Sequence, residues 1–423
     1  MGELGSSVLK QKIFYGWIIV FAGFILTASY GIFYTLTVFF NTIKAEFGWS
    51  STLISSIHSF HLFTYIVFGL IISRLIERYE PRLIFLFCAI LSGLGISLLS
   101  QVKTIEQFYF FYILATIGLA GTWAPPLAIT QRWFIYKKGL ALGIVGAGVG
   151  LGTLIQAPLA NFLINSFGWR NAYLIEGIIT FFILFIGAML IVSEPAKIGL
   201  KPLGEKKESE NHQATNFKNV ELDWTLKEAV KTRALLSISL AYFFTLLPVH
   251  MLGVHFVPYA MGVGISKTAA VTTWGVLNGA GIFGRIFIGD IGQRFGWKNT
   301  LIGCCLICVL VTIWLVTLNK LWMLYFFSFI YGLCYGGRTT QIFGLLGYCF
   351  GNTKSMPTIT AFAHGVSLIG GVIGPIIGGL IYDHTGNYTL AFAIGALSWG
   401  LAAVSSIAVT KPAKLAAQYL PKP

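Results

Sequence analysis

The sequence predicts an all-α polytopic membrane protein with twelve transmembrane helices in two pseudo-symmetric six-helix halves. The prediction depends on the composition, on a series of apolar segments and on an internal repeat. Hydrophobic residues make up 56% of the 423 residues, charged residues make up 10%, and the mean hydropathy is +0.77. These values exclude a soluble globular protein.

Apolar segments long enough to cross a bilayer, which takes about 20 residues in a helix, recur along the whole chain. They lie at residues 14–41, 53–73, 83–102, 105–131, 139–166, 171–193, 234–261, 269–291, 299–319, 321–349, 356–382 and 388–410. The one long polar stretch, 194–233, divides the chain into a first half (1–193), a cytoplasmic linker and a second half (234–423). We expect an amphipathic helix at 222–230 to lead into the seventh segment.

The distribution of lysine and arginine predicts the orientation. With the N-terminus in the cytoplasm, 22 of the 29 basic residues fall on the inner side, five fall in outer loops, and two fall within apolar segments. The net charge of +14 therefore reflects membrane topology and does not indicate a nucleic-acid partner. We expect an integral protein of a bacterial inner membrane with both termini in the cytoplasm.

The two halves repeat. A shift of 216 residues places Gly48-Trp49-Ser50 on Gly264-Ile265-Ser266, Arg78 on Arg294 and Glu77 on Gln293. Two parallel repeats of this kind are related by an axis normal to the membrane, with the binding site between them near the midplane.

One of the two intramembrane cations, Arg285, is the strongest candidate for a site. A charge within a spanning helix is costly unless it faces a wet cavity or a partner. Asn278 and Gly281 precede Arg285 at helical spacing, so one face presents an amide, a gap and a guanidinium. The alternative is an arginine that extends to the headgroups or forms a purely structural pair.

Further candidates lie at a similar depth. Arg338 and His364 each stand about 12–16 Å from the inner edge at about 1.5 Å per residue, and we predict no acidic residue at that depth in the second half. Arg338 could instead pair with Asp290 or with carbonyl groups, and His364 could be an interhelical packing residue. The remaining candidates for contact with the organic part of a substrate, with helix packing as the alternative, are Tyr30, Tyr34, Trp123 and His250.

The loop that follows the second segment, 73–82, resembles the inter-helix signature of the major facilitator superfamily, and the resemblance extends over essentially the whole chain. Glu77 stands in the place of the usual aspartate, and Glu80 stands where glycine is expected. In that superfamily this loop holds helix ends together by ion pairs that break when the halves move. The resemblance therefore implies a gating role for the following residues: Glu77, Arg78, Arg82, Asp290 and Arg294.

Within that superfamily, Tyr15-Gly16-Trp17, His255-Phe256-Val257-Pro258-Tyr259-Ala260 and Gly284-Arg285 resemble the monocarboxylate transporter and oxalate/formate antiporter group. The resemblance implies that Arg285 binds a substrate carboxylate. Two departures matter, because Tyr34 replaces a lysine of the animal transporters and Gly281 replaces an aspartate. Both of those residues are tied to proton coupling in the group, so its proton-symport mechanism cannot be carried over.

The sequence thus predicts a secondary transporter of small organic anions, either mono- or dicarboxylates, that works by alternating access. It would operate by anion exchange or by proton-coupled symport, as a monomer, without a cofactor, a metal or an enzymatic activity. One alternative is a porter of the same fold for a siderophore or a drug, with Arg285 structural. Another is a non-transporting anion sensor. Cys305 and Cys308 form a C-x-x-C pair that we interpret as helix packing.

Overall fold

The computed structural model describes residues 14–49, 51–204, 224–318, 320–351 and 353–412, and α-helices account for most of these residues. The first half contains α1 (Tyr15–Ala28), a 3-10 segment (Ser29–Thr35), α2 (Leu36–Phe47), α3 (Ser51–Arg78), α4 (Pro81–Leu98), a 3-10 turn (Leu99–Gln101), α5 (Ile105–Leu119), α6 (Ala124–Trp133) and α7 (Lys138–Leu190). The connection and the second half contain a 3-10 turn (Pro195–Ile198), α8 (Leu226–Ala229), α9 (Arg233–Gly262), α10 (Lys267–Phe295), α11 (Trp297–Leu315), α12 (Leu321–Phe350), α13 (Met356–Thr385) and α14 (Thr389–Ile407).

The twelve predicted spans are confirmed. Within the described residues, nine helices are long and apolar enough to cross a membrane. One of them, α7, bends at Gly168, whose φ of 77° and ψ of 158° are not helical, so it contains two spans and raises the count to ten. Helices α10 and α12, which carry the two intramembrane arginines, complete the twelve.

Two spans of the first half are interrupted where the sequence predicted continuous helices. The fourth span breaks between Leu119 and Ala124, and its second part begins with Pro125 and Pro126, which are tolerated only in the first turn of a helix. In the first span, the α-helix changes to a 3-10 helix at Ser29–Thr35. The hydroxyl of Thr35 donates to the carbonyl of Ile32 at 2.7 Å, a local bond that competes with regular helix geometry.

The predicted amphipathic helix at 222–230 is shorter in the structure. Thr225 accepts a hydrogen bond from the backbone N–H of Glu228, and the Glu228 carboxylate accepts one from the N–H of Thr225. This reciprocal capping box starts the helix after Thr225, so Trp224 and Thr225, which the prediction included, lie outside it. Residues 205–223 lie outside the described part of the chain.

The connection between the halves is fixed at both ends. Leu203 pairs with Phe134 in a short parallel bridge, and the Trp224 N–H donates to the Thr353 hydroxyl at 2.9 Å. The loops that precede α7 and α13 therefore lie on the same side of the molecule as this connection. We call it the linker side, and the opposite one the far side.

The most extensive contacts between the halves are those of α7 with α10 and of α3 with α13. Glycines bring the first pair into backbone contact: a Cβ added at Gly139 would lie 2.0 Å from the Gly289 carbonyl oxygen, and one at Gly143 would lie 2.3 Å from that of Arg285. Small residues allow such close approach between membrane helices. In the second pair, Gly365 packs against Ile66.

Candidate functional site

Arg285 lies at the boundary between the two halves and is only 3% exposed. Its Nη2 donates to the Tyr335 hydroxyl at 3.2 Å, and its Cζ lies 5.3 Å from the centre of the Tyr335 ring. Its Nη1 is close to Gly150 of α7 and Gly281 of α10, where an added Cβ would approach it to 3.3 and 3.4 Å. The side chain thus extends toward Gly281, away from the linker-side end of α10 that carries Arg294.

The Arg285 guanidinium has spare hydrogen-bonding capacity. Its Nε has no hydrogen-bond partner, and among the described residues no carboxylate forms an ion pair with it. The backbone around it is held firmly, because the Thr340 hydroxyl donates to the Arg285 carbonyl at 3.0 Å. A buried cation in this condition is incompletely compensated for the water it has lost.

Arg338 lies inside the second half. It is 2% exposed, and its Nη1 donates to the Thr245 hydroxyl of α9 at 2.7 Å. Its Cζ lies 5.7 Å from the Tyr242 ring and 5.9 Å from the Trp399 ring. It therefore packs between α9, α12 and α14, and the alternative partner Asp290 is paired instead with Arg294 on its own helix, at 2.7 Å.

Tyr335 connects the two arginines and was missed in the sequence. Its half-buried ring lies 5.3 Å from the guanidinium carbon of Arg285 and 5.4 Å from that of Arg338. Aromatic faces attract cations at these separations. A tyrosine three residues before an intramembrane arginine was the available signal, but its contact with Arg285 depends on how α10 and α12 pack together.

His364 joins the halves through aromatic contacts. Its ring lies 5.6 Å from that of Tyr242 in its own half, and 6.0 Å from those of Tyr65 and Trp123 in the first half. Its Nε2 is buried and has no hydrogen-bond partner, while its Nδ1 lies 3.4 Å from the Ser367 hydroxyl. These four rings form what we call the aromatic bridge.

The structure does not bring the other predicted substrate-contact residues together in one place. The Asn278 amide donates to the Trp274 carbonyl on its own helix at 2.9 Å. His250 packs against Gly371 within the second half. Tyr30 contacts the Tyr65 ring at 5.3 Å, next to the aromatic bridge. The side chain of Tyr34 lies outside the described part of the chain.

Glu77 connects the halves on the linker side. It is 7% exposed and accepts a hydrogen bond at 3.2 Å from the backbone N–H of Thr358, in the first turn of α13. It also pairs with Arg74 on its own helix at 2.6 Å. A carboxylate at a helix N-terminus is favourable because it satisfies a free N–H and opposes the positive end of the helix dipole.

Gln293, the repeat equivalent of Glu77, makes the corresponding contact. Its Oε1 accepts from the N–H of Gly139 at 3.0 Å, and its Nε2 donates to the Ile135 carbonyl at 3.0 Å. Arg132 adds a further connection between the halves, since its Nη2 donates to the carbonyls of Thr353 and Lys354 at 3.4 and 3.1 Å.

Among the described residues, the predicted gating residues form no ion pair between the halves, and the contacts across the boundary are hydrogen bonds to backbone groups. Asp290 and Arg294 pair within α10, and Arg82 contacts Met189 within the first half. The exposed Arg78 forms no ion pair among the described residues. The difference has a physical reason, because an exposed ion pair is worth little, whereas a capped helix end removes an unsatisfied buried donor.

Two six-helix halves around a buried cation define the class of secondary membrane transporters. The family model of the Major Facilitator Superfamily matches residues 19–347, and the chain therefore belongs to that superfamily. Its members are membrane transporters and not enzymes.

Curated relatives include monocarboxylate transporter 12 of Rattus norvegicus, which is 26% identical over 90% of this chain and 82% of its own length. Monocarboxylate transporter 13 of Bos taurus is 25% identical over 94% of this chain and 89% of its own length. Among solved structures, the E. coli fucose:proton symporter FucP has a TM-score of 0.71 at 15% identity, covering 95% of this chain and 99% of the symporter. The proton:xylose symporter XylE has a TM-score of 0.70 at 14% identity, covering 92% and 94%. The structural likeness concerns the fold alone.

Proposed function

We propose that this chain is a secondary active transporter of small organic anions that works by alternating access, with Arg285 as the anion-binding group. The observation that carries the proposal is a guanidinium buried between the halves with a phenol as its hydrogen-bond partner and an unpartnered Nε. A carboxylate fits a guanidinium with two parallel charge-assisted hydrogen bonds. Binding would therefore neutralise a charge that the described residues leave unpaired.

The number of available cations favours a monocarboxylate over a dicarboxylate. Arg285 lies at the boundary between the halves, whereas Arg338 is directed to Thr245 inside the second half. A second carboxylate would be buried without an equivalent partner, which is costly. The two animal relatives are monocarboxylate transporters, which supports the same choice.

The contacts of Glu77 and Gln293 support a state in which the linker side is closed. The distribution of basic residues assigns that side to the cytoplasm, so this state would receive substrate from the far side. Opening the linker side requires both contacts, and the contact of Arg132 with the loop that precedes α13, to separate as the halves rock around the bound anion. The location in a bacterial inner membrane remains a prediction from the sequence, and the relatives named above are animal proteins.

Binding to purified protein tests the role of Arg285. We expect lactate or a similar monocarboxylate to raise the melting temperature of the wild type more than a dicarboxylate such as oxalate does, because ligands that bind the native state stabilise it. Arg285→Lys should abolish this shift and the uptake into proteoliposomes, since a point charge does not replace a planar fork.

The matched control is Arg233→Lys, an exposed arginine in the first turn of α9, which should keep both activities. Carboxylate uptake by folded Arg285→Lys at the wild-type rate would refute the assignment. Stabilisation by a siderophore or a drug, with no response to carboxylates, would instead favour a porter for another solute. Binding without any flux would favour a sensor.

A further inference from the structure

A second group of buried polar side chains lies in the first half, apart from Arg285. Glu176 on the second part of α7 is 2% exposed, and neither of its carboxyl oxygens has a hydrogen-bond partner. The hydroxyl groups of Tyr173, one turn earlier, and of Tyr112 on α5 are also buried without a partner. Three buried polar side chains without a hydrogen-bond partner in one region are unusual, because buried polar groups nearly always have a partner.

Two of these side chains line a cavity. Tyr112 and Tyr173 line it together with Ile32, Phe33 and Thr35 of the 3-10 segment in the first span. Glu176 follows Tyr173 by three residues and so lies on the same face of α7. It stands about 12 Å beyond the bend at Gly168, at roughly 1.5 Å per residue, which places it well inside the bilayer.

The surroundings of Glu176 hold no compensating charge among the described residues. Tyr173 precedes Glu176 by one turn on α7, and beyond Tyr112 lies His61, whose ring is 5.9 Å from that of Tyr112 and whose Nδ1 is engaged with Thr116 at 3.0 Å. Gly177, which follows Glu176 on α7, packs against Ser97 of α4. The residues that line the cavity from α4 and the turn after it are Ile96 and Leu99.

An ionised carboxylate in this position would carry an uncompensated buried charge, so the neutral, protonated acid is the form that the site accommodates. We propose that Glu176, with the hydroxyl groups of Tyr112 and Tyr173, is a proton-binding site in the first half, and that its proton moves with the substrate. Proton and anion would then occupy different halves of the protein. The coupling part of this inference rests on the proposed function.

The site is in continuous contact with the boundary between the halves. Phe33 lines the cavity and contacts the Tyr30 ring at 5.2 Å; Tyr30 contacts Tyr65 at 5.3 Å, and Tyr65 contacts His364. A change in the charge of Glu176 would act first on the 3-10 segment, whose geometry is less regular and less stable than that of an α-helix. Loss of the proton would therefore alter the first-half wall of the central boundary.

Infrared spectroscopy of the purified protein tests the proton site without any substrate. The wild type should show the carbonyl stretch of a protonated carboxylic acid at neutral pH, and Glu176→Gln should lack it. Tyr173→Phe should keep the band but move the pH at which it disappears. The matched control, Glu106→Gln, removes an exposed acid of α5 and should leave the neutral-pH band unchanged. A wild-type spectrum identical to that of Glu176→Gln would overturn the proposal.

Proteoliposomes test whether the proton moves with the anion. With lactate as the probe, the wild type should accumulate it under an inward proton gradient, whereas Glu176→Gln should lose this accumulation and keep exchange of internal for external lactate. Accumulation by Glu176→Gln at the wild-type level would overturn the coupling. Lactate exchange by the wild type that does not depend on the proton gradient would also overturn the coupling, while leaving the proposed function intact. Absence of any carboxylate flux would refute the proposed function, and the infrared result would still decide the proton site.

Discussion

Two of the contacts that close the linker side are related by the internal repeat but use different chemistry. Glu77 and Gln293 occupy equivalent positions, and each accepts a hydrogen bond from a backbone N–H at the start of a helix in the other half. At the α3–α13 contact the acceptor is a carboxylate. At the α7–α10 contact it is a neutral amide, and the helices also touch backbone to backbone at Gly139 and Gly143.

This difference indicates that the two contacts resist opening for different reasons. The α3–α13 contact gains from a buried carboxylate at a helix N-terminus, an electrostatic interaction that water replaces when the contact opens. The α7–α10 contact gains from close packing of glycines, which has no counterpart in water and depends steeply on distance. One contact should therefore respond to charge and the other to volume.

The largest effect is expected from added volume at the α7–α10 contact. The Cβ of Gly139→Ala would lie 2.0 Å from the Gly289 carbonyl oxygen, so the helices must separate. Overpacking costs about 1–3 kcal/mol or more, which shifts an equilibrium by about 5- to 150-fold. We expect the linker side to open, which can be measured as a longer distance between spin labels at the exposed positions Tyr79 and Tyr348.

Gly303→Ala on α11 is the matched control, because no atom lies within 4 Å of its added Cβ. It should leave the distance distribution unchanged. A Gly139→Ala variant with the wild-type distribution would mean that packing at this contact does not hold the linker side closed.

A smaller effect is expected from the charged contact. Glu77→Ala leaves the Thr358 N–H and Arg74 without their partner, at a cost of roughly 1–3 kcal/mol while the contact stays closed. The spin-label distance should lengthen and the rate of transport should change, whereas binding of lactate at Arg285 should stay within about twofold.

Gln293→Ala sharpens the comparison, because it removes two neutral hydrogen bonds but leaves in place the glycine packing that holds the α7–α10 contact. It should open the linker side less than Glu77→Ala does. Equal effects of the two variants, or loss of binding in Glu77→Ala without a change in distance, would contradict the assignment of charge to one contact and volume to the other.

The spans could be predicted from the sequence because a lipid environment imposes an apolar length on each of them. The depth of Arg285, Arg338 and His364 followed from the same counting. Depth does not determine the direction in which a side chain points around the helix axis, and for this reason Arg338 could not be assigned to the interior of the second half. The contact of Arg285 with Tyr335 likewise depends on the packing of α10 against α12.

The interruptions of the first and fourth spans could be recognised only in part. Pro125 and Pro126 are a strong signal for the start of a helix, yet the apolar run 105–131 predicted one continuous span. The 3-10 segment Ser29–Thr35 has no comparable signal, because its sequence is apolar and its geometry follows from local side-chain bonds and tertiary packing. The repeat showed that Glu77 and Gln293 occupy equivalent positions, but it did not show that Gln293 accepts a hydrogen bond from the other half.

The smallest effect is expected on the far side, where a carboxylate acts within one half. The Glu46 carboxylate accepts hydrogen bonds from the Arg170 guanidinium and the Trp169 indole, and these interactions, the one with Arg170 being the larger, lower the pKa of Glu46 below its ordinary value. A lowered pKa in the folded state means that the stabilisation is present above the ordinary glutamate value of about 4.3 and is lost as the pH falls through the folded value. Because the Glu46 and Arg170 side chains are both about 40% exposed, their ion pair stabilises the fold by no more than roughly 1 kcal/mol.

Thermal unfolding of the wild type and of Glu46→Gln between pH 7 and pH 3 measures this contribution. The variant should melt at a lower temperature at pH 7, and the two melting temperatures should converge as the pH falls and the wild-type carboxyl takes up its proton. The distance between spin labels at Tyr79 and Tyr348 should not change, since Glu46 and Arg170 both belong to the first half and their contact does not cross the boundary. A gap in melting temperature that widens on acidification would show that Glu46 is not held in its ionised form. A change in the linker-side distance would show that the far-side contact also takes part in closing the linker side.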